Sequence, residues 1–210
     1  CWRGGKVFKN ATPGIAFKNG FLGLDFKMVP NSPDHYAQWG MPCAYTSASD
    51  LMSRGAYTDS LFNHFWSTSF QGDEPEAVVQ KINLIGQHMF GALSGTSTDF
   101  GRMLLLIGPK GTGKSQVIDM YRHLVPEDSF CSVKPDQLEN EYYGIQLVGK
   151  ALNGVYELDI KNPIRDASTI KSVAQGEPIT KRAIRQAPVT FCNRAASVYA
   201  SNGYPKILAP

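Results

Sequence analysis

GRMLLLIGPKGTGKS, residues 101–115, joins a short apolar run to a glycine-rich loop. From Gly108 to Ser115 the loop reads G-x-x-x-x-G-K-S, the full pattern of a phosphate-binding loop. Met103-Leu104-Leu105-Leu106-Ile107 ahead of it has the composition of a buried strand. Behind it, residues 116–124 place Val117, Met120, Tyr121 and Leu124 at helical spacing. Strand, loop and helix is the context that this chemistry requires. Gly108, Gly111 and Gly113 are expected to free the backbone so that successive N–H groups face a phosphate. The helix N-terminus adds partial positive charge. Lys114 is the point charge for the terminal phosphates, and the Ser115 hydroxyl can join a Mg²⁺ shell. Pro109, Lys110 and Thr112 complete the expected nucleotide cradle. The bland alternative is a glycine-rich turn with no ligand.

The chain has 210 residues, which suits one medium domain with an annex or two small ones. A hydrophobic fraction of 42% excludes a disordered chain. A net charge of +3 permits a nucleic-acid partner without requiring one, so any basic site must be local. Cys1, Cys43, Cys131 and Cys192 form no C-x-x-C pair, which disfavours a zinc site or disulfide scaffold and fits a reducing, cytoplasmic setting. No apolar run approaches the ~20 residues of a membrane span, and the opening residues are not expected to form a signal peptide. The chain starts at Cys1 without an initiator Met and is read as an internal piece of a larger protein.

Residues 1–50 read as short strands and turns, with Asn19-Gly20 a hairpin signal. The aromatics there (Trp2, Phe8, Phe17, Phe21, Phe26, Tyr36, Trp39, Tyr45) fit a small core better than a base-stacking surface. Helices are predicted over 57–70, with Leu61, Phe62, Phe65 and Trp66 on one side, and from Pro75 through Leu93. The second carries the stripe Val78, Ile82, Ile85, Met89, Phe90 and Leu93, and GALSGTSTD (91–99) follows as a polar connector. Beyond the loop helix come a turn at 126–128 and short helical pieces over 136–140 and 142–148. A strand is expected over 151–159 (ALNGVYELD), although Asn153-Gly154 is unusual inside one. A helix over 167–173 and strands over 188–192 and 196–201 complete the pattern.

A phosphate-loop enzyme needs an acid to hold Mg²⁺ and polarise the attacking water. Glu157 is the candidate, with Asp159 beside it, at the carboxyl end of a strand where open α/β sheets bind ligands. The strands carrying Glu157 and Asn202 are expected to flank the strand that leads to Lys114. Asn202 in YASNGYP can orient water or contact a phosphate, though spacing alone makes it a turn residue. Residues 171–185 (KSVAQGEPITKRAIR) set Lys171, Lys181, Arg182 and Arg185 against Glu177. Such a loop can track a phosphate backbone, and by composition alone a solvated hairpin is the more ordinary reading.

Together, the phosphate loop, the ELD strand, IKSVAQGEPITKR (170–182) and SNGYPKI (201–207) resemble the superfamily 3 helicase domain of phage and viral primase–helicases. AFKNGFLGLDFKMVPNSPDHY (16–36) resembles the segment preceding these helicases, and residues 62–95 the helical region leading into them. The resemblance implies an α/β phosphate-loop NTPase with a parallel sheet flanked by helices over 76–210, preceded by a small mixed domain over 1–75. It implies ATP and Mg²⁺ as cofactors, single-stranded DNA as partner and a homo-oligomeric, hexameric ring. By it, Lys114 and Ser115 match the Walker A pair, Glu157 the Walker B acid and Asn202 the sensor-1 residue. Lys171, Lys181 and Arg182 fall where DNA contacts occur. The chain departs from the pattern in reading ELD, without adjacent acids, and Arg194 does not match the arginine finger. That finger is expected outside this chain, as is any primase domain, so the piece alone should turn over ATP slowly. Two other readings stay open: a phosphate-loop kinase of small substrates, and an ATP-dependent oligomeric loading protein that does not unwind DNA.

Overall fold

The computed structural model describes residues 11–37, 39–53, 61–70, 72–159 and 167–208. Its centre is a four-stranded parallel sheet of β4 (Leu104–Ile107), β5 (Phe130–Cys131), β6 (Leu152–Val155) and β9 (Ala196–Ser201). The fold is α/β, as the βα pattern around the phosphate loop predicts. The strand order is β4-β9-β6-β5. Leu104 to Ile107 lie beside Val198 to Ser201, and Leu152 to Val155 beside Ala196 to Tyr199. Only β9 therefore flanks β4 among the described residues, and β6 lies one strand further out. This corrects the expectation that both strands flank it. The reason lies in ASVYAS: every residue of β9 is buried, and small side chains at 196, 197, 200 and 201 let helices close over a strand with neighbours on both sides.

Strand β6 stops at Val155, short of the predicted 151–159; beyond it Glu157 and Asp159 are exposed, while Leu158 stays buried and its N–H donates to the Ala200 carbonyl at 2.8 Å. Asn153-Gly154 has a structural cause. The Asn153 Oδ1 accepts from the Val133 N–H at 2.7 Å and its Nδ2 donates to the Val133 carbonyl at 3.0 Å, so the side chain pairs like a strand beyond the end of β5. A side chain at Gly154 would press on the Phe130 ring at 2.7 Å. Strand β5 has two residues and no periodicity, and sequence reasoning missed it.

Helices α1 (Ala48–Ser53), α2 (Leu61–Thr68) and α3 (Pro75–Ser94) precede β4. The first four residues of the predicted 57–70 helix, and the side chains of Leu61 and Phe62, lie outside the described residues, as do Trp2 and Phe8. Pro75 opens α3 and Gly95 closes it in the left-handed region at φ 74°. Its Ile85, Met89 and Ala92 pack with Trp66, Leu104, Val117, Ile118 and Tyr121 into the main core. The predicted polar connector at 91–99 is largely helical and buried. Helix α3 runs to Ser94, and Ser94, Thr96, Ser97 and Thr98 are inside. The Ser94 hydroxyl donates to the Phe90 carbonyl at 2.7 Å and lies 2.9 Å from that of Thr96, which makes its burial tolerable.

The N-terminal part is an antiparallel sheet of β1 (Gly14–Phe17), β2 (Gly20–Gly23) and β3 (Met28–Val29). Phe17 pairs with Gly20, so the hairpin turn is Lys18-Asn19, one residue earlier than the Asn-Gly signal. Asn19 is used elsewhere: its side chain accepts from the Tyr45 N–H at 2.7 Å and donates to the Tyr45 carbonyl at 3.0 Å. Of the aromatics here, Phe21 is buried, while Phe26 is 66% exposed and stacks on Phe90 at 5.6 Å.

After the loop helix α4 (Lys114–Leu124) come two short helices, α5 (Pro135–Leu138) and α6 (Glu141–Gly144). Helix α7 (Ala167–Ala174) then leads into the hairpin of β7 (Pro178–Lys181) and β8 (Val189–Cys192). Among the described residues, no helix is long and apolar enough to cross a membrane.

Candidate nucleotide site and hairpin

The loop between β4 and α4 turns on two glycines. Gly111 at φ 85° and Gly113 at φ 80° occupy the left-handed region, and beyond their chain neighbours no atom lies within 4 Å of where their Cβ atoms would be. Gly108 differs from the expectation: its φ is not in that region, and its constraint is contact, since a Cβ would meet the Thr112 hydroxyl at 3.1 Å. Gly113 caps α4, whose first turn carries no acid to offset the positive helix end.

Lys114 Nζ donates to the carbonyls of Gly108 and Pro109, both at 2.7 Å, and reaches the Thr112 hydroxyl at 3.4 Å. Its charge therefore sits in the hollow of the loop. Ser115, next along α4, is exposed at the first turn of the helix.

Two distant motifs meet beside this loop. The Gly108 N–H donates to the Ser201 carbonyl at 3.2 Å, extending the β4–β9 ladder into the first loop residue. The next residue, Asn202, points its amide at Glu157 and donates to Oε1 at 3.2 Å. The Ser201 hydroxyl donates to the Gly203 carbonyl at 2.5 Å, a tight turn around Asn202 at the strand end. Asn202 is exposed and Glu157 is open to solvent at the carboxyl edge of the sheet.

Sequence reasoning missed Tyr156. Its hydroxyl donates to Asp119 Oδ1 of α4 at 2.7 Å, tying the residue before Glu157 to the loop helix. Partial burial, then the Asp119 carboxylate, raise its pKa. Its signal in the sequence is only an aromatic between Val155 and Glu157.

Among the described residues, no group of three or more His, Cys, Asp or Glu side chains clusters as a metal site. The oxygen donors that the sequence offers are the Ser115 hydroxyl at the start of α4 and the Glu157 carboxylate just past the end of β6. That set fits Mg²⁺, which keeps water and takes phosphate oxygens beside one or two protein ligands. A separate cleft of about 1080 Å³ opens between α3 and the β4 edge, lined by Phe26, Phe90, Phe100 and Met103, and no predicted site residue lines it.

The basic segment splits in two. Lys171 is exposed on α7. Lys181 is only 8% exposed, and its ammonium donates to the Leu138 carbonyl at 2.6 Å and approaches that of Glu139 at 3.3 Å. Burial lowers its pKa, while Glu141 and Glu139 oppose that shift. Lys181, expected from the resemblance to contact DNA, faces inward in this structure, because the alternating burial of β7 turns it from solvent. Arg182 is half engaged, donating to Glu141 Oε1 at 2.7 Å and to the Tyr142 hydroxyl at 3.0 Å. The hairpin tip instead displays Ile184, 73% exposed, and Arg185, exposed in the left-handed region at φ 61°.

Among known proteins, a family model described as a family of unknown function (DUF5906) matches residues 106–209. No curated protein matches the chain. Among solved structures, the A form apo structure of the NrS-1 C-terminal region is similar at 13% identity and a TM-score of 0.48, over 64% of this chain and 30% of that one. An apo structure of the NrS-1 C-terminal region (305-718) is similar at 16% identity and a TM-score of 0.47, over 60% and 31% of the two chains. This chain thus spans about 30% of the length of the solved chain it matches first.

Proposed function

We propose that this chain is the ATP-hydrolysing part of a DNA helicase, a module that moves on single-stranded DNA as a ring of copies within a replication primase–helicase. One observation carries the reading: the Glu157–Asn202 contact at 3.2 Å, one residue past the carbonyl that binds the first loop glycine. The carboxylate is assigned to the attacking water and the amide to the phosphate.

In this reading, loop N–H groups and Lys114 bind the β- and γ-phosphates. Ser115 and Glu157 would hold Mg²⁺, which would supply charge neutralisation at the phosphate oxygens. Glu157 also accepts the proton of the attacking water. Asn202 orients the Glu157 carboxylate and senses the γ-phosphate. Lys171, Arg182 and the hairpin tip at Ile184 and Arg185 face the DNA. A neighbouring copy would supply the arginine that speeds transfer by ~10³–10⁵ in related NTPases.

The test is ATP turnover with and without single-stranded DNA, beside Lys114→Ala. Stimulation by DNA that vanishes in the variant is expected. Turnover that ignores DNA but rises with a small phosphate acceptor would instead make the chain a kinase. Nucleotide-dependent assembly without strand displacement would make it a loading protein.

A further inference from the structure

Lys181 breaks the pattern of its strand. In β7, Ile179 and Lys181 are the buried positions, and alternation would place an apolar residue at 181. The site around the lysine is built for it. Its ammonium meets the last carbonyl of α5, Leu138, at 2.6 Å and that of Glu139 at 3.3 Å. Its stem runs over Gly144, where an added Cβ would lie 2.8–3.0 Å from three of the side-chain carbons. Gly144 has ordinary helical angles, φ −60° and ψ −22°, so its lack of a side chain serves the lysine and not the backbone. Next to it, the Arg182 N–H donates to the Glu141 carbonyl at 3.2 Å, and the Arg182 guanidinium pairs with the Glu141 carboxylate.

We infer that Lys181 is a positioning residue, a latch that fixes the β7–β8 hairpin against the α5–α6 block and does not itself touch nucleic acid. The inference rests on the helicase reading only in its DNA arm. The block in turn joins the sheet, because Asn153 of β6 grips Val133, two residues before α5. The hairpin tip is thus held through Lys181, α5 and Asn153 to the strand that leads to Glu157.

Two measurements test this on the same chain. The first is amide hydrogen exchange without DNA, on wild type, Lys181→Met and Gly144→Ala. Met keeps the stem and removes the donors; Ala at 144 displaces the stem and leaves the charge. Both variants should speed exchange of hairpin amides over 179–191 by about tenfold or more, with β4 and β9 unchanged. Hairpin exchange at the wild-type rate in both variants overturns the latch. Should Lys181→Met fail to fold by circular dichroism, Gly144→Ala decides alone.

The second measurement is binding of a fluorescein-labelled oligo(dT) across salt concentrations. A latch predicts weaker binding in both variants with the salt slope of wild type. A direct phosphate contact predicts a slope reduced by about 0.7 in Lys181→Met and a silent Gly144→Ala, which overturns the inference. Wild type that binds no oligo(dT) removes the DNA reading, and hydrogen exchange then decides by itself whether the latch holds.

Discussion

The Asn202 amide donates to Glu157 Oε1 at 3.2 Å, joining two residues at the ends of adjacent strands. Replacing the amide by a carboxylate sets two like charges at that distance. Asn202→Asp should therefore make the Glu157 carboxyl harder to ionise and move the rising limb of the ATPase pH profile to higher pH. Glu157→Gln should cut kcat by about 10²–10⁴ while nucleotide affinity stays near wild type. A pH–rate profile for each variant checks both. An unmoved limb in Asn202→Asp would mean that Glu157 is not the group whose ionisation limits turnover.

The loop glycines should rank by their constraint. Gly113→Ala forces a left-handed alanine and costs about 1–2 kcal/mol, and under the proposed function it should also weaken nucleotide binding. Gly108→Ala only presses on the Thr112 hydroxyl, and should cost less. Fluorescent-nucleotide titration and thermal melts of the two variants give the order.

His88 should make the fold acid-sensitive. Its Nδ1 lies 3.0 Å from the Tyr121 hydroxyl, which donates to the Ile85 carbonyl, so the imidazole supplies the proton in that contact. Burial pushes the His88 pKa down to about 4 from 6.5, against a smaller opposing pull from the Ser197 backbone. The unfolded chain then binds more protons between those values, so stability is complete above pH 6.5 and falls as pH drops towards 4. The loss should be on the order of 3 kcal/mol. Urea unfolding at about pH 7 and about pH 4.5 should show a smaller difference in His88→Gln than in wild type.

Gly144 and Lys181 should be coupled in stability. Gly144→Ala should destabilise wild type, where the Lys181 stem fills the space, but not Lys181→Ala, where the stem is gone and alanine favours the helix by up to about 1 kcal/mol. A double-mutant cycle by denaturant unfolding reads the difference directly.

Much of this architecture is legible from local pattern. The apolar run before Gly108, the helical spacing after Ser115 and the stripe on Ile85 and Met89 each report burial, and each element stands where its period puts it. The non-local features are not legible in this way. No spacing rule says that β9, last in sequence, enters beside β4, or that Asn202 comes to Glu157. The polar run at 94–98 misleads because hydroxyls such as those of Ser94 and Thr96 satisfy one another inside the fold. Lys181 misleads for a related reason: charge in a sequence reads as solvent, and only Gly144 and the Leu138 carbonyl reveal a lysine facing inward.

The position of β9 has a consequence for the order in which the chain can fold. Its two neighbours, β4 and β6, do not pair with each other and are joined in the sheet through Ala196–Ser201. During synthesis, the loop over 108–113 is complete long before the strand that braces Gly108. A nascent chain ending before Ala196 would carry β4 with neither edge paired, among the described residues, and with its Leu-Leu-Leu-Ile backbone open to other chains. Folding of the loop must then wait for a distant segment, the kind of long-range closure that slows folding. Protection of β4 amides during refolding should accordingly appear together with that of β9, and not with the earlier-made α3.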